Sequence, residues 1–384
     1  MNSVLKSTVL FSALASALPP HHHPHGPPGS AGSNKSKVIL DNDWSTAGFI
    51  PYLQALKAGW DVLGIIGDTS NSWALTTTLH GLATLERGDL ASCIPVYKGS
   101  DYPLLQTPKL FQTWEELHGD LPWQGAFLPE NATAEAAGFD PTSGDPERVV
   151  RAAYKEGFPN TTYVEDVSAA EFLVQQVRKY PGEVSIYSGG ALTNIALAVR
   201  MDSNFAKNAK ELIIMGGYID VNVLMTTGSV LLADLQSDIN LIIDPEAAKI
   251  AFSAPWKNIT FAGNVANQEF FTQDDLDELI KVPGPYTQLV HDYYEIFLPL
   301  WDETAAAIML DPSSGFVKNS TEFYVDVDTS YASPMYGNIR AYQKALAPRA
   351  QDLRKVNYVL EVDGAELKRR VIEAIQYPPT CADL

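Results

Sequence analysis

The sequence is poor in basic residues and in cysteine. Its 384 residues hold 27 Lys and Arg against 46 Asp and Glu, which gives a formal net charge of −19. This charge disfavours binding to nucleic acid or to anionic membranes through bulk electrostatics, and it suits a soluble protein that binds a cation. The fold does not need a disulfide scaffold, and the only two cysteines, Cys93 and Cys381, either pair in an oxidising compartment or stay apart.

Long hydrophobic runs are also absent, so no segment is predicted to cross a membrane. A short apolar run, Val9 to Leu18, follows Lys6 and contains small residues suited to cleavage, which predicts a secretory signal peptide over residues 1–18. The alternative is a disordered apolar tail. Residues 19–36 are a low-complexity linker of Pro, Gly, His and Ser. We therefore expect a secreted protein, and five Asn-X-Ser/Thr sequons agree with this: Asn34, Asn131, Asn160, Asn258 and Asn319.

From residue 37 to residue 384 the pattern is that of one α/β domain. Short apolar strands alternate with helices; the strands are 38–40, 62–66, 94–97, 184–187 and 212–215, and the helices are 50–58, 73–87, 169–179 and a segment starting near 189. This alternation predicts an open, mostly parallel, Rossmann-like sheet with helices on both faces. The segment 99–160, rich in Pro, Gly and aromatic residues, reads as a long loop or insertion.

Polar or small residues follow several of these strands. In parallel sheets, ligands bind beyond the carboxyl ends of the strands, so these residues are expected to converge on one edge. They are Asp41 and Asp43, Asp68–Asn71, Ser188–Gly190, and Gly216–Gly217. Each alone is typical of a turn or a helix cap. Two carboxylates one residue apart, however, repel each other unless something positive neutralises them.

Five motifs, in this order along the chain, give the sequence its family resemblance. They are IPVYKGSDYPL at 94–104, SGGALTNIALA at 188–198, IIMGG at 213–217, DINLIIDPEAAKIAF at 238–252 and WDETAAAIMLDP at 301–312. With the opening DNDWSTAG at 41–48, the chain resembles the inosine/uridine-type nucleoside hydrolases, in a divergent, secreted, fungal-like branch. The resemblance covers about 38–375.

The resemblance implies hydrolysis of the N-glycosidic bond of a ribonucleoside to free base and ribose. It also implies a bound Ca²⁺ that positions the attacking water and the ribose hydroxyls, while an Asp accepts the proton of the water. The chemistry is consistent, because a cation lowers the pKa of water, a carboxylate takes up the proton, and calcium prefers several oxygen ligands. Carboxylates near the sugar also favour a transition state with cationic character.

The resemblance assigns roles to individual positions. Asp43 matches the catalytic Asp that also binds the metal, and Asp302 and the backbone carbonyl of Gly189 match further metal ligands. The positions matched to substrate contacts are Asp41, Asn71, His118, Met215, Asp238 and Asn240. Taken singly, Met215 is more typical of a core residue and His118 of a loop histidine.

Two departures from the family pattern bear on function. The family motif DxDxxxDD ends here in Ala47 and Gly48, which removes one metal ligand and one ribose contact. The metal site is then weakened, completed by another acid such as Asp68 or Asp238, or lost. Trp301 stands where some members have a His acid for the leaving base. An indole stacks on a purine but is no useful acid, so Trp301 favours purine nucleosides; otherwise it is a core residue.

The sequence therefore supports a primary function and two alternatives. The primary one is a purine-preferring nucleoside hydrolase with a small-molecule substrate, and family members suggest a homodimer. A catalytically silent nucleoside- or sugar-binding protein on the same scaffold is the first alternative, because two family aspartates are missing. Hydrolysis of a different N- or O-glycoside is the second.

Overall fold

The computed structural model describes residues 35–219, 238–310 and 315–384. The predicted signal peptide and nearly all of the predicted linker lie outside these ranges, as do the Asn34 sequon and the last residues of the motif at 301–312. The predicted domain boundary at residue 37 stays a prediction. Within the described ranges, no helix combines the length and apolarity needed to span a bilayer.

The described strands join one mixed sheet in which parallel pairs dominate. Their order across the sheet is β3-β2-β1-β4-β5-β6-β9-β7-β8, and only β7 runs antiparallel to its neighbours β9 and β8. The strands are β1 Lys37–Asn42, β2 Asp61–Gly67, β3 Val96–Lys98, β4 Val184–Ser188, β5 Glu211–Met215, β6 Ile259–Ala262, β7 Val317–Val327, β8 Ile339–Tyr342 and β9 Lys355–Val362.

Helices lie on both faces of this sheet, which confirms the predicted fold class. In chain order they are α1 Ile50–Lys57, α2 Ala74–Arg87, α3 Pro108–His118, α4 Ala132–Ala136, α5 Ala169–Lys179, α6 Thr193–Met201, α7 Phe205–Asn208, α8 Ile239–Ile242, α9 Pro245–Ser253, α10 Gln273–Leu279, α11 Thr287–Tyr293, α12 Trp301–Leu310 and α13 Gly364–Gln376.

The central strand β1 shows how the sequence separates two cores. Every residue of KVILDN is buried, as expected for a parallel strand covered on both faces. Because side chains alternate along a strand, Val38 and Leu40 join one apolar cluster, with α1, α12 and α13, whereas Ile39 joins the other, with α5, α6 and α9. The sheet is therefore sandwiched between two helical layers.

Local signals fix several helix starts. Asp244 caps α9 by accepting from the Ala247 N–H, and Pro245 occupies the first turn. Ser168 caps α5 in the same way. The predicted loop 99–160 is only partly irregular, because it contains α3 and α4; the Thr107 side chain caps α3.

The two cysteines form a disulfide, Cys93–Cys381, with a Cα–Cα distance of 5.7 Å. It ties the segment before β3 to the C-terminal tail beyond α13. This settles the alternative that the sequence leaves open.

Candidate active site

The site lies where the order of the strands reverses. The chain runs outward from β1 through β2 to β3, and then returns to the other side of β1 with β4. Asp41 pairs in register with Ser188 of β4, and Asn42 with Gly67 of β2, so the ends of these strands are level. Such a reversal opens a crevice at the carboxyl ends of the strands. The predicted convergence of post-strand residues is thus observed.

Five aspartates from distant parts of the chain gather at this edge. Asp41 lies near the end of β1 and Asp43 just after it, Asp68 follows β2, Asp238 caps α8, and Asp302 lies in the first turn of α12. The first four are at most 5% exposed, and Asp302 is half-buried. In the described part of the chain, none of the five has a Lys, Arg or His partner that would stabilise its charge. We call these residues the rim aspartates.

Burial without a counter-charge raises the pKa values of the rim aspartates. Burial raises the pKa of Asp41 to about 8 and that of Asp302 to about 7. The pKa of Asp43 is raised by burial and then by the neighbouring charge of Asp302. For Asp68, burial again comes first, followed by the charge of Asp41, and the pKa rises well above its usual range. A cation would reverse these shifts.

Hydrogen bonds orient the rim aspartates individually. The backbone N–H of Asn71 donates to Asp43 Oδ2 at 3.0 Å, and Asn194 Nδ2 donates to Asp41 Oδ1 at 3.0 Å. The amide of Asn42 donates to Asp302 Oδ2 at 3.1 Å. Asn42, in β1, and Asn194, in α6, are positioning residues that the sequence prediction misses, since neither carries a local signal of its contact with a residue 260 or 153 positions away.

Among the described residues, Asp68 is the one rim aspartate whose two carboxylate oxygens both lack a hydrogen-bond donor. One oxygen of Asp41, Oδ2, also lacks a donor there. The carboxylate of Asp68 lies against Gly190, where a Cβ atom would overlap both oxygens. Next to it, Asn42 Oδ1 occupies the space of a Cβ at Gly189. Glycine is therefore needed at these two positions, because the side chains of Asn42 and Asp68 approach the backbone there.

The predicted ribose residues at α8 are held by protein groups. Asp238 accepts from the Asn240 N–H at 2.9 Å and caps the helix. The Asn240 amide donates to the Gly189 carbonyl at 2.8 Å and to Met215 Sδ at 3.2 Å. The side chain of Ser70 donates to Asn240 Oδ1 at 2.9 Å. Asn240 thus fixes two other predicted site residues, while its contact with ribose stays a prediction.

Trp301 lies next to the rim aspartates and is partly buried. Its indole N–H donates to Asn267 Oδ1 at 2.6 Å, which fixes the plane of the ring. Trp44 and Trp73 are completely buried and donate to backbone carbonyls. Trp123 is 52% exposed and donates to the Asn71 side chain, so it lies at the edge of the site.

His118 is less closely connected with the site. It is the last residue of α3, and its ring lies 5.1 Å from that of Trp114. Its Nε2 atom is buried without a hydrogen-bond partner in the described residues, and no contact there links it to the rim aspartates. Its predicted role at a loop over the site stays a prediction.

A second charged cluster supports the loop after β1. His80 of α2 is 1% exposed and binds Glu156 through Nδ1 and Asp140 through Nε2, the latter at 3.0 Å. Glu156 also accepts from the hydroxyl of Thr46, at 2.8 Å. The two carboxylates raise the pKa of His80 to about 10, despite its burial. We call His80, Asp140 and Glu156 the histidine cluster.

Comparison with known proteins identifies the family. The chain matches the family model for inosine-uridine preferring nucleoside hydrolases over residues 38–369. The chain belongs to this nucleoside hydrolase family. An uncharacterized protein of Schizosaccharomyces pombe is 35% identical over 338 residues, 83% of this chain and 79% of that protein. A probable uridine nucleosidase of Arabidopsis thaliana is 28% identical over 89% of this chain and 98% of its own length.

Solved structures confirm the nucleoside hydrolase fold. A purine-preferring ribonucleoside hydrolase from Gardnerella vaginalis aligns with a TM-score of 0.65 and 19% identity, covering 88% of this chain and 98% of that one. At this identity the likeness concerns the fold. The base specificities in the names of these nucleoside hydrolases differ, so the names do not give the base preference of this chain.

Proposed function

We propose that this protein hydrolyses the N-glycosidic bond of ribonucleosides, preferring purine nucleosides, and releases ribose and the free base. The observation that carries the proposal is the meeting of Asp43 and Asp302, 259 positions apart in the printed sequence, in one buried group of carboxylates. Membership of the nucleoside hydrolase family supports the reaction type. The fixed indole of Trp301 beside this group supports the preference for a large, flat base.

The chain supplies the main groups that the reaction needs. Asp43, oriented by the Asn71 N–H, would accept the proton of the attacking water. The remaining rim aspartates would favour the positive charge that develops on the sugar as the base departs. Trp301 would stack on the base and hold it in line, and burial of the carboxylates would limit access of other water molecules.

Calcium is part of the proposal. The partnerless oxygens of Asp68 and Asp41 have the donor chemistry that calcium requires, and Asp43, Asp302 and Asp68 are the side chains that would hold it. Bound there, the ion would neutralise the carboxylates and acidify a water molecule. In the ranges that the structure describes, however, no three or more His, Cys, Asp or Glu side chains are arranged to hold a metal ion. Binding therefore requires the carboxylates to move together.

The reaction is tested directly by measuring ribose release. The purified, folded protein is incubated with inosine, guanosine and uridine, with added calcium and with a chelator. We expect release of ribose, fastest from the purine nucleosides and slowed by the chelator. Absence of ribose release from all three substrates, with folding verified by circular dichroism, would reject the hydrolase. Saturable nucleoside binding in calorimetry without turnover would instead support a binding protein.

Secretion is proposed on independent grounds. The Cys93–Cys381 disulfide is typical of an oxidising compartment. The four sequon asparagines in the described ranges are exposed at the surface: Asn131, Asn160, Asn258 and Asn319. Detection of the processed, glycosylated protein in culture medium, with a mass that falls after glycosidase treatment, tests this proposal; retention of the full-length chain inside the cell contradicts it.

A further inference from the structure

The side chain of Asn267 connects Trp301 with the rim aspartates. It lies in a 3₁₀ turn after β6 and is 3% exposed. Its Oδ1 atom accepts from Trp301 Nε1 at 2.6 Å and from the Tyr218 hydroxyl at 3.4 Å. The Tyr218 side chain also lies beside Asp238, one of the rim aspartates. Asn267 is thus placed between the predicted base-stacking residue and the predicted sugar site.

The orientation of the Asn267 amide is determined by chemistry. An indole N–H only donates, so the atom facing Trp301 must be the amide oxygen. The amide cannot flip without placing two donors against each other. The other end of the side chain is therefore an NH₂ group with two N–H donors, in a position set by Trp301.

Among the residues that the structure describes, this NH₂ group has no hydrogen-bond partner. Nδ2 of Asn267 is buried and forms no hydrogen bond with any residue that the structure describes. A buried donor without an acceptor costs free energy, and native proteins rarely keep one unless a ligand or water molecule completes it. Because Trp301 and Tyr218 occupy the oxygen, a ligand that completes this site must offer an acceptor.

We infer that Asn267 determines base specificity, by donating from Nδ2 to a carbonyl oxygen on the edge of the nucleobase stacked on Trp301. The inference rests on the proposed function. Hypoxanthine, guanine and uracil carry a carbonyl oxygen where adenine and cytosine carry an amino group. An amino group there would put N–H against N–H and leave both unpaired, which discriminates strongly between otherwise similar substrates. The site therefore takes 6-oxopurine nucleosides, such as inosine and guanosine, in preference to adenosine.

Replacement of Asn267 by Asp tests the inference with little change of shape. The retained oxygen still accepts from Trp301, while the NH₂ group becomes an acceptor. We expect the ratio of kcat/KM for inosine to that for adenosine to fall by about 10-fold or more. In Asn267→Ala the donor is lost, and the ratio should also fall towards one. The matched control is Asn338→Asp, another buried Asn with a partnerless amide atom, which has no described contact with Trp301 and should leave the ratio unchanged.

Binding measurements separate this inference from the proposed function. Quenching of tryptophan fluorescence by free hypoxanthine and by free adenine reports base recognition even in a protein without turnover. We expect hypoxanthine to bind more tightly to the wild type and to lose this advantage in Asn267→Asp. If both Asn267 variants are folded and keep the wild-type preference for hypoxanthine, or if their affinities for hypoxanthine and adenine fall equally, Asn267 is a packing residue and the inference is wrong.

Discussion

The rim aspartates and the histidine cluster are both largely buried groups of ionisable side chains, yet these side chains are arranged in opposite ways. In the histidine cluster, one imidazolium lies between two carboxylates, and each ring nitrogen has its own partner. In the rim aspartates, five carboxyl groups share only amide and hydroxyl donors, and both oxygens of Asp68 have none in the described residues. Burial of a charge is costly unless it is paired.

The difference distinguishes a structural cluster from the proposed catalytic one. The histidine cluster needs nothing from outside, and through Glu156 and Thr46 it supports the loop that follows β1. The rim aspartates store unfavourable electrostatic energy that a cation or a cationic transition state would relieve. Clusters of this second kind are typical of active sites, where perturbed pKa values concentrate. Three substitutions test this contrast.

The largest effect is expected from Asp43→Asn. Without the proton acceptor, the rate of ribose release should fall by about 10²- to 10⁴-fold. The unfolding temperature should not fall, because one member of a mutually repelling group becomes neutral. The control is Asp61→Asn, which makes the same chemical change at the first residue of β2, at the opposite end of the strand from the rim aspartates. It should keep both activity and stability. An Asp43→Asn protein with full activity would contradict the assigned role.

Replacement of His80 by Gln should have the second largest effect, on stability. Removal of the cation leaves the buried Glu156 and the half-buried Asp140 without their partner, and the free energy of unfolding should fall by about 3–5 kcal/mol at pH 6. The pKa of His80 is raised from 6.5 to about 10 by folding, so its contribution is complete below pH 6.5 and is lost as the pH rises towards 10.

Urea unfolding at pH 6 and pH 9 measures this dependence. The difference in the free energy of unfolding between wild type and His80→Gln should be smaller at pH 9 than at pH 6. The control is His291→Gln, at a half-buried histidine that also contacts two carboxylates, and this change should cost little stability. A difference that stays constant between the two pH values would show that His80 contributes by packing alone.

The smallest effect is expected from Asp68→Asn. Removal of one buried ionisable carboxyl group, which has no hydrogen-bond partner among the described residues, should raise the free energy of unfolding in chelator by about 1 kcal/mol. Calcium should stabilise the wild type against heat, since a ligand of the folded state shifts the unfolding equilibrium, and it should stabilise the variant less. Asp61→Asn again provides the control. If calcium raises the unfolding temperature of wild type and Asp68→Asn equally, Asp68 is not a ligand.

Much of the architecture is predictable from the chain because local patterns carry it. The apolar runs before Asp41, Asp68 and Ser188 predict three neighbouring strands, and their polar ends predict the edge where the site lies. β1 nevertheless extends through Asp41 and Asn42, which a hydropathy pattern assigns to a loop. Strands β6 to β9 are absent from the prediction; along β7 most residues are partly or fully exposed, so alternation with a buried face is weak.

The site is predictable only in part. The resemblance to nucleoside hydrolases supplies Asp43 and Asp302, and the structure brings both into one cluster. Contacts between distant polar residues carry no local signal, so the bond from Asn42 to Asp302 and the orientation of Trp301 by Asn267 appear only in the folded chain. The histidine cluster is missed for the same reason, since His80 reads as an ordinary helical residue.

The disulfide has a practical consequence for handling the protein. Cys93 and Cys381 are 288 positions apart, so the covalent ring that they close contains most of the polypeptide. A single protease cut anywhere between them leaves both fragments attached to each other. Nicked protein would therefore run as one intact band on a denaturing gel until reductant is added, and an apparently homogeneous preparation should be judged under reducing conditions.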